Sequence, residues 1–232
     1  MKNESGDFKL KGRKMAVTTL IFDLDGTLLD TLQGIGRSMN RVLKRNDFPV
    51  HPLSAYRYFV GEGAENLVRK AIPHQQQALV PRLLAEFLAD YGLHWADKSG
   101  PYDGIENMLK ALTGKWTLCV LSNKPDRITQ KCVHHFFPDV PFKTVRGQID
   151  GIPKKPSAEG VWGIIKPLDV NQSQCLFIGD TKIDMLTAKA AGMASVGVTW
   201  GFRPREELEV NHARHIIDHP MQLLDVLKAY EN

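Results

Sequence analysis

Each stretch of this chain that reads as a buried strand stops at a short polar cluster, and beyond residue 101 such stretches alternate with helical periodicity. Residues 16–22 (AVTTLIF) form a β-branched, apolar run, as in a strand covered on both faces. Residues 116–121 (WTLCVL), 142–145, 174–178 (QCLFI) and 195–198 repeat that pattern. Between them, apolar residues recur at helical spacing over 105–112, 127–136, 158–165 and 185–191. Residues 215–217 and 223–229 finish the chain. Alternation of this kind implies a parallel sheet with helices on both faces. The expected fold class is therefore α/β, a doubly wound, Rossmann-like parallel sheet.

The stretch between the first strand and the rest breaks this rhythm. Leu32, Ile35, Met39, Val42 and Leu43 recur at helical spacing, and residues 65–72 and 79–91 are amphipathic. Leu79, Val80, Leu83, Leu84, Phe87, Leu88 and Tyr91 line one face of the last of these. No convincing strand lies between Asp30 and Pro101. The chain therefore divides into a basic tail (1–14), an α/β core (15–30 and 102–232) and an inserted α-helical cap (31–101).

Charge narrows the function classes. The formal net charge is +4. Lys2, Lys9, Lys11, Arg13 and Lys14 against Glu4 and Asp7 leave +3 of it in the first fourteen residues. The remainder is too near neutral for a surface that tracks nucleic-acid phosphates, and the tail reads as a solvated, disordered leader. The three cysteines, Cys119, Cys132 and Cys175, have no metal-ligand spacing. Reduced thiols in a cytoplasmic protein account for them. No apolar run approaches membrane-spanning length, so neither a membrane nor a nucleic acid is an expected partner. A monomer and a homodimer are equally open.

In open α/β sheets ligands bind outside the carboxyl ends of the strands, and the polar clusters stand there. The first strand ends in Asp23-Leu24-Asp25-Gly26-Thr27. Two carboxylates two residues apart need a compensating cation, while Gly26 permits a sharp turn and leaves amides free for an anion. The plain alternative is an acidic turn. Residues 116–121 run into Ser122 and Asn123, whose hydroxyl and amide suit phosphate oxygens or simply cap a helix. Lys154-Lys155-Pro156 follows, with Lys155 able to deliver a point charge, although a surface lysine explains it alone. Residues 174–178 run into Gly179-Asp180, with Asp184 one helical turn on. Their hard oxygens suit Mg²⁺, or serve as acids in a helix's first turn. Capping explains each cluster singly; their joint occurrence at successive strand ends it does not.

With these motifs in place the chain resembles the haloacid dehalogenase superfamily of phosphotransferases over nearly all of residues 17–227. Asp23-Leu24-Asp25-Gly26-Thr27 is similar to its first signature, Ser122-Asn123 to the second, Lys155-Pro156 to the third, and Gly179-Asp180 through Asp184 to the fourth. Ala188, Ala191 and Gly192 fit the extension of the last. Residues 31–101 resemble the small helical cap of one branch. Within it the closest likeness is to phosphoglycolate phosphatases, through Val60-Gly61-Glu62-Gly63-Ala64 with Leu67, and Gly197-Val198-Thr199-Trp200-Gly201-Phe202. Ala158 departs from the family, which has a second proline there, and Lys154 is the fallback for Lys155.

The resemblance implies a Mg²⁺-dependent phosphatase acting on a small phosphomonoester, with 2-phosphoglycolate as the favoured substrate. Asp23 would be the nucleophile that becomes an aspartyl-phosphate, and Asp25 the acid and base. Lys155 would be a second positive charge. Mg²⁺ would be held by the carboxylates of Asp23 and Asp180 and the main-chain carbonyl of Asp25, with Asp184 either ligating directly or holding a water. Thr27, Ser122 and Asn123 would bind phosphate oxygens, with Gly61, Glu62 and Gly63 nearest the leaving group. A sugar-phosphate mutase, a pyrophosphatase or nucleotidase, and a signalling protein that accepts phosphate on Asp23 are the competing expectations.

Overall fold

The computed structural model describes residues 16–230; the expected disordered tail lies outside the described residues. In chain order the elements are β1 (Thr19–Phe22), β2 (Leu29–Asp30), α1 (Leu32–Arg45), α2 (Tyr56–Phe59), α3 (Ala64–Ala71), α4 (Val80–His94) and β3 (Gly100–Pro101). Next come α5 (Ile105–Leu112), β4 (Thr117–Pro125), α6 (Asp126–Phe136), β5 (Thr144–Gln148), α7 (Glu159–Ile165), β6 (Cys175–Gly179) and α8 (Lys182–Ala191). β7 (Ala194–Val198), α9 (Arg205–Val210), β8 (His215–Ile217) and α10 (Gln222–Lys228) complete the chain.

Six strands form one parallel sheet in the order β5-β4-β1-β6-β7-β8. Every residue of β1 is buried, because alternate side chains enter two different cores. Leu20 and Phe22 join the core formed with α5, α6, α10 and the helical insert. Ile21 joins Cys119 and Phe177 beneath Val161 and Ile164 of α7 and Ala188 and Ala191 of α8. Helices thus cover both faces, as expected of a doubly wound sheet. The chain leaves β1 for β4 and β5 on one side and for β6, β7 and β8 on the other. β1 is therefore the point where strand order reverses, and Asp23, Ser122 and Asp180 stand where β1, β4 and β6 run out.

Between β2 and β3 the chain is helical. Val80, Leu83, Phe87 and Tyr91 of α4 are buried, while Leu79, Leu84 and Leu88 pack against the same core at its margin. The periodicity did not reveal the join: Leu29 pairs with Pro101 and Asp30 with Gly100, antiparallel. Both crossings to the insert run side by side in this two-stranded ribbon. Two residues per strand are too few to show any period.

β5 also lies further on than its apolar run suggests, over Thr144–Gln148. It is an edge strand beside β4 alone, so its polar residues pair by backbone while their side chains stay half exposed. All three cysteines are free and buried, and burial pushes the Cys119 and Cys132 thiols up to about 11 and that of Cys175 to about 12. Among the described residues no helix is long and apolar enough to cross a membrane.

Candidate active site

Asp23 follows β1 directly, and its amide donates to the Ile178 carbonyl of β6 at 2.9 Å. That bond fixes the backbone, so the carboxylate projects from the sheet's carboxyl edge. The chain then folds into a tight turn closed by the Gly26 amide donating to Leu29 at 2.8 Å. Gly26 has φ of +90°, and a Cβ there would overlap the Asp180 carboxylate. Only glycine satisfies both demands.

Asp180 and Asp184 are fully buried and Asp23 is nearly so. One carboxylate oxygen from each lies within 4.8 Å of the others. Lys155 Nζ reaches two of the three, at 2.7 Å from Asp184 Oδ1 and 2.8 Å from Asp23 Oδ1. Lys155, rather than Lys154, is thus the lysine at the centre.

Each acid is held from behind. Asp180 Oδ1 accepts from the Thr27 hydroxyl at 3.1 Å, and Oδ2 from the Phe202 amide at 2.7 Å. Asp184 Oδ2 accepts from the Thr181 amide at 3.0 Å and hydroxyl at 2.9 Å. Thr181 in turn caps α8, its hydroxyl accepting from the Ile183 amide. The helix-capping alternative for Asp184 is therefore true as well: one oxygen completes the capping box, and the other faces Lys155. Asp23 Oδ1 differs, because the lysine contact is close but out of line and this buried atom accepts no hydrogen bond.

Three buried carboxylates face one lysine, an arrangement short of positive charge. The titration behaviour agrees. Burial, then the charges of Asp184 and Asp25, push Asp23 up to about 7 despite Lys155. Burial, then Asp184 and Asp23, push Asp180 well above the carboxylate range. A divalent cation would supply what is missing. Hard, closely spaced carboxylate oxygens, one of them orphaned, fit Mg²⁺, and Asp23, Asp180 and Asp184 are the side chains able to hold it.

Asp25 stands apart from this cluster. Its carboxylate receives Lys124 Nζ at 2.8 and 3.0 Å and the Thr31 hydroxyl at 2.7 Å. It lines a cleft with Asp23, Ser122, Asn123, Gly61 and Gly63. The insert supplies the apolar wall, from Ile35, Val60, Leu67, Phe87, Leu88 and Tyr91.

The remaining expected residues divide. Ser122 is buried at the cleft, and its hydroxyl accepts from the Lys124 amide at 3.3 Å. The Asn123 amide group is spent on backbone: it donates to Gly61 and Lys155 carbonyls, both at 3.0 Å, and accepts from the Lys155 amide at 2.9 Å. It ties β4, the lysine loop and the insert together. Glu62 turns to Lys70, 3.1 Å away.

The sequence reading did not single out Lys124, Tyr91, Thr31, Arg57 or Arg203. Arg57 donates to the Gly201 and Phe202 carbonyls at 2.8 and 3.0 Å. Arg203 is buried, donates to the Val60 carbonyl at 3.0 Å and lies over the Tyr58 ring. These arginines clasp insert and sheet reciprocally. The only available signal was for Lys124, which directly follows Ser122-Asn123; the others depend on partners far along the chain.

Comparison with known proteins agrees with this geometry. The family model described as haloacid dehalogenase-like hydrolase matches residues 20–198. A phosphoglycolate phosphatase of Colwellia psychrerythraea is 31% identical, covering 90% of this chain and 96% of its own. One from Pseudomonas putida is 32% identical, covering 90% and 77%. A solved structure from Lactobacillus delbrueckii subsp. bulgaricus, provisionally described as a phosphoglycolate phosphatase, superposes with a TM-score of 0.86. It is 29% identical and covers 92% of this chain and 99% of its own.

Proposed function

This chain belongs to the haloacid dehalogenase-like hydrolases, and from that premise we propose a Mg²⁺-dependent phosphatase that hydrolyses a small phosphomonoester through an aspartyl-phosphate on Asp23. 2-Phosphoglycolate is the first candidate substrate, because the Colwellia and Pseudomonas relatives bear that activity in their names. The observation that carries the reading is the gathering of Asp23, Asp180, Asp184 and Lys155 at one rim of the sheet, with Asp25 across the cleft.

Asp23 attacks phosphorus, and the bond from phosphorus to the leaving oxygen breaks as Asp25 hands that oxygen a proton. Asp25 then takes a proton from water, which attacks phosphorus and frees Asp23 and inorganic phosphate. Acid and base help of this kind is worth roughly 10²–10⁴-fold. An anionic nucleophile meeting an anionic phosphate needs positive charge at the transferring oxygens. Lys155 brings one such charge. Asp23, Asp180 and Asp184 would hold Mg²⁺, which would supply charge neutralisation and orientation of the phosphoryl group.

Ser122 and backbone amides of the Gly26 turn complete the phosphate cradle. Thr27 serves by orienting Asp180, and Asn123 by fixing the backbone of Lys155. The insert acts as a cap that keeps water from the reacting atoms and meets the leaving group through Gly61 and Gly63. A cytoplasmic enzyme, as monomer or homodimer, fits this role.

The test is a phosphate-release screen over small phosphate esters with Mg²⁺, using Asp23→Asn as the blank. Release of inorganic phosphate by the native chain alone is the expected result. An isomerised ester without free phosphate would indicate a mutase, and a stable phosphoprotein without turnover a signalling role.

A further inference from the structure

The geometry points to Lys124 as the residue that positions Asp25 and to Tyr91 as the insert's own contribution to that positioning, an inference that rests on the phosphatase reading above. The Lys124 side chain is only 3% exposed. The ammonium donates to both oxygens of Asp25, at 2.8 and 3.0 Å, and to the Tyr91 hydroxyl at 2.7 Å. Lys124 is thus committed to Asp25 and Tyr91, and its function is to hold the Asp25 carboxylate in place, while the Thr31 hydroxyl donates to Oδ1 at 2.7 Å.

Tyr91 comes from α4, within the insert, and Lys124 from β4, within the sheet. The tyrosine ring is stacked on Phe87, with centroids 5.5 Å apart and planes 5° from parallel, and the ammonium lies 4.8 Å from its centroid. A stacked, buried ring is a rigid platform, so its hydroxyl has a fixed location whenever the insert is seated. Should the insert lift, the Lys124 ammonium loses that partner and turns to water. Seating the insert then does more than close the cleft: through one lysine it sets the orientation of Asp25. Neither residue touches phosphorus, so both are positioning residues.

The test compares two esters of different leaving-group chemistry. An alkyl monoester such as 2-phosphoglycolate needs a proton delivered to its departing oxygen; p-nitrophenyl phosphate does not. kcat/KM reports the steps up to departure of that oxygen. For Lys124→Met, kcat/KM on the alkyl ester is expected to fall at least about tenfold further than on the aryl ester, since acid help is worth roughly 10²–10⁴-fold. Tyr91→Phe removes one hydroxyl and retains the ring, which keeps the test open should Lys124→Met not fold; it is expected to show the same selectivity at about threefold. Equal losses on both esters overturn the inference, because they indicate a role in phosphate binding or in the fold. No loss on either overturns it too. Asp23→Asn should silence both esters; if it does not, the phosphatase reading fails separately from the positioning claim.

Discussion

In the proposed mechanism Asp23 has two burdens: it must be anionic to attack, yet it is buried beside two further carboxylates. Replacing it with asparagine separates them. Turnover by Asp23→Asn is expected to fall by more than about 10³-fold, as for loss of a nucleophile. The metal-free variant should melt no lower than the native chain, because one uncompensated buried charge has gone. Retained turnover, or a collapse of the thermal midpoint, would contradict the assignment. The same burial predicts a pH dependence. With its carboxyl pushed up to about 7, folded Asp23 keeps a proton that the unfolded chain releases near pH 4. This contribution to the stability of the metal-free protein declines as pH rises from about 4 to about 7, and Asp180, whose carboxyl is also raised, adds a decline of the same sign. The midpoint should be higher at about pH 5 than at about pH 8, and Mg²⁺ should raise it more at the alkaline value, where fewer protons need be displaced. A calorimetric scan across this range decides; a larger Mg²⁺ gain on the acid side would sink the idea. Asp23, Ser122 and Asp180 were legible as sequence because each stands just beyond an apolar run, and Lys155 through its likeness to the third signature. The tasks of Asn123 and Lys124 were not, since their partners lie 32 to 99 residues away.

Among elements, the turn between β7 and α9 tolerates little. A Cβ on Gly201 would overlap Asp180 Cβ and the Gly26 carbonyl oxygen, both at the edge of the carboxylate cluster. Gly201→Ala should cost about 1–3 kcal/mol, as overpacking does, and weaken Mg²⁺ binding measured by titration calorimetry. Gly92 in α4 is the contrast, with open space where its Cβ would stand. Gly92→Ala should stabilise by about 0.5–1 kcal/mol through helix propensity, a thermal gain of about 1–4 °C. The reverse ordering of these two variants would show that the packing argument is misplaced. Long elements were readable from the chain because burial imposes a period on them: β1, α4 and α5 appear nearly where their apolar residues recur. β5 shifted and the β2–β3 ribbon was missed for one reason. Their stability comes from backbone pairing with a distant segment, which leaves no mark on local composition.

At the scale of the molecule, the insert is clasped to the sheet by hydrogen bonds that cross in both directions. Arg57 reaches down to Gly201 and Phe202, and Arg203 and Asn123 reach up to Val60 and Gly61. Because the Phe202 amide also holds Asp180, the clasp abuts the cluster of three buried carboxylates. Arg57→Ala, at a cost of about 0.5–1.5 kcal/mol per lost bond, should speed amide exchange at the seam around residues 57–60 and 201–203 while that of β1 and β6 stays slow. It should also lower turnover several-fold. Unchanged exchange at the seam would show that the clasp does not hold the insert.

The β2–β3 ribbon has one further consequence. Since the insert departs and returns through paired neighbours, Leu29 with Pro101 and Asp30 with Gly100, its ends demand no more of the sheet than a hairpin does. A different helical module with equally close ends could be spliced at those four residues without rerouting the chain. If the insert meets the leaving group as proposed, selectivity for the departing alcohol would be separable, at the level of genes, from the apparatus that cleaves it.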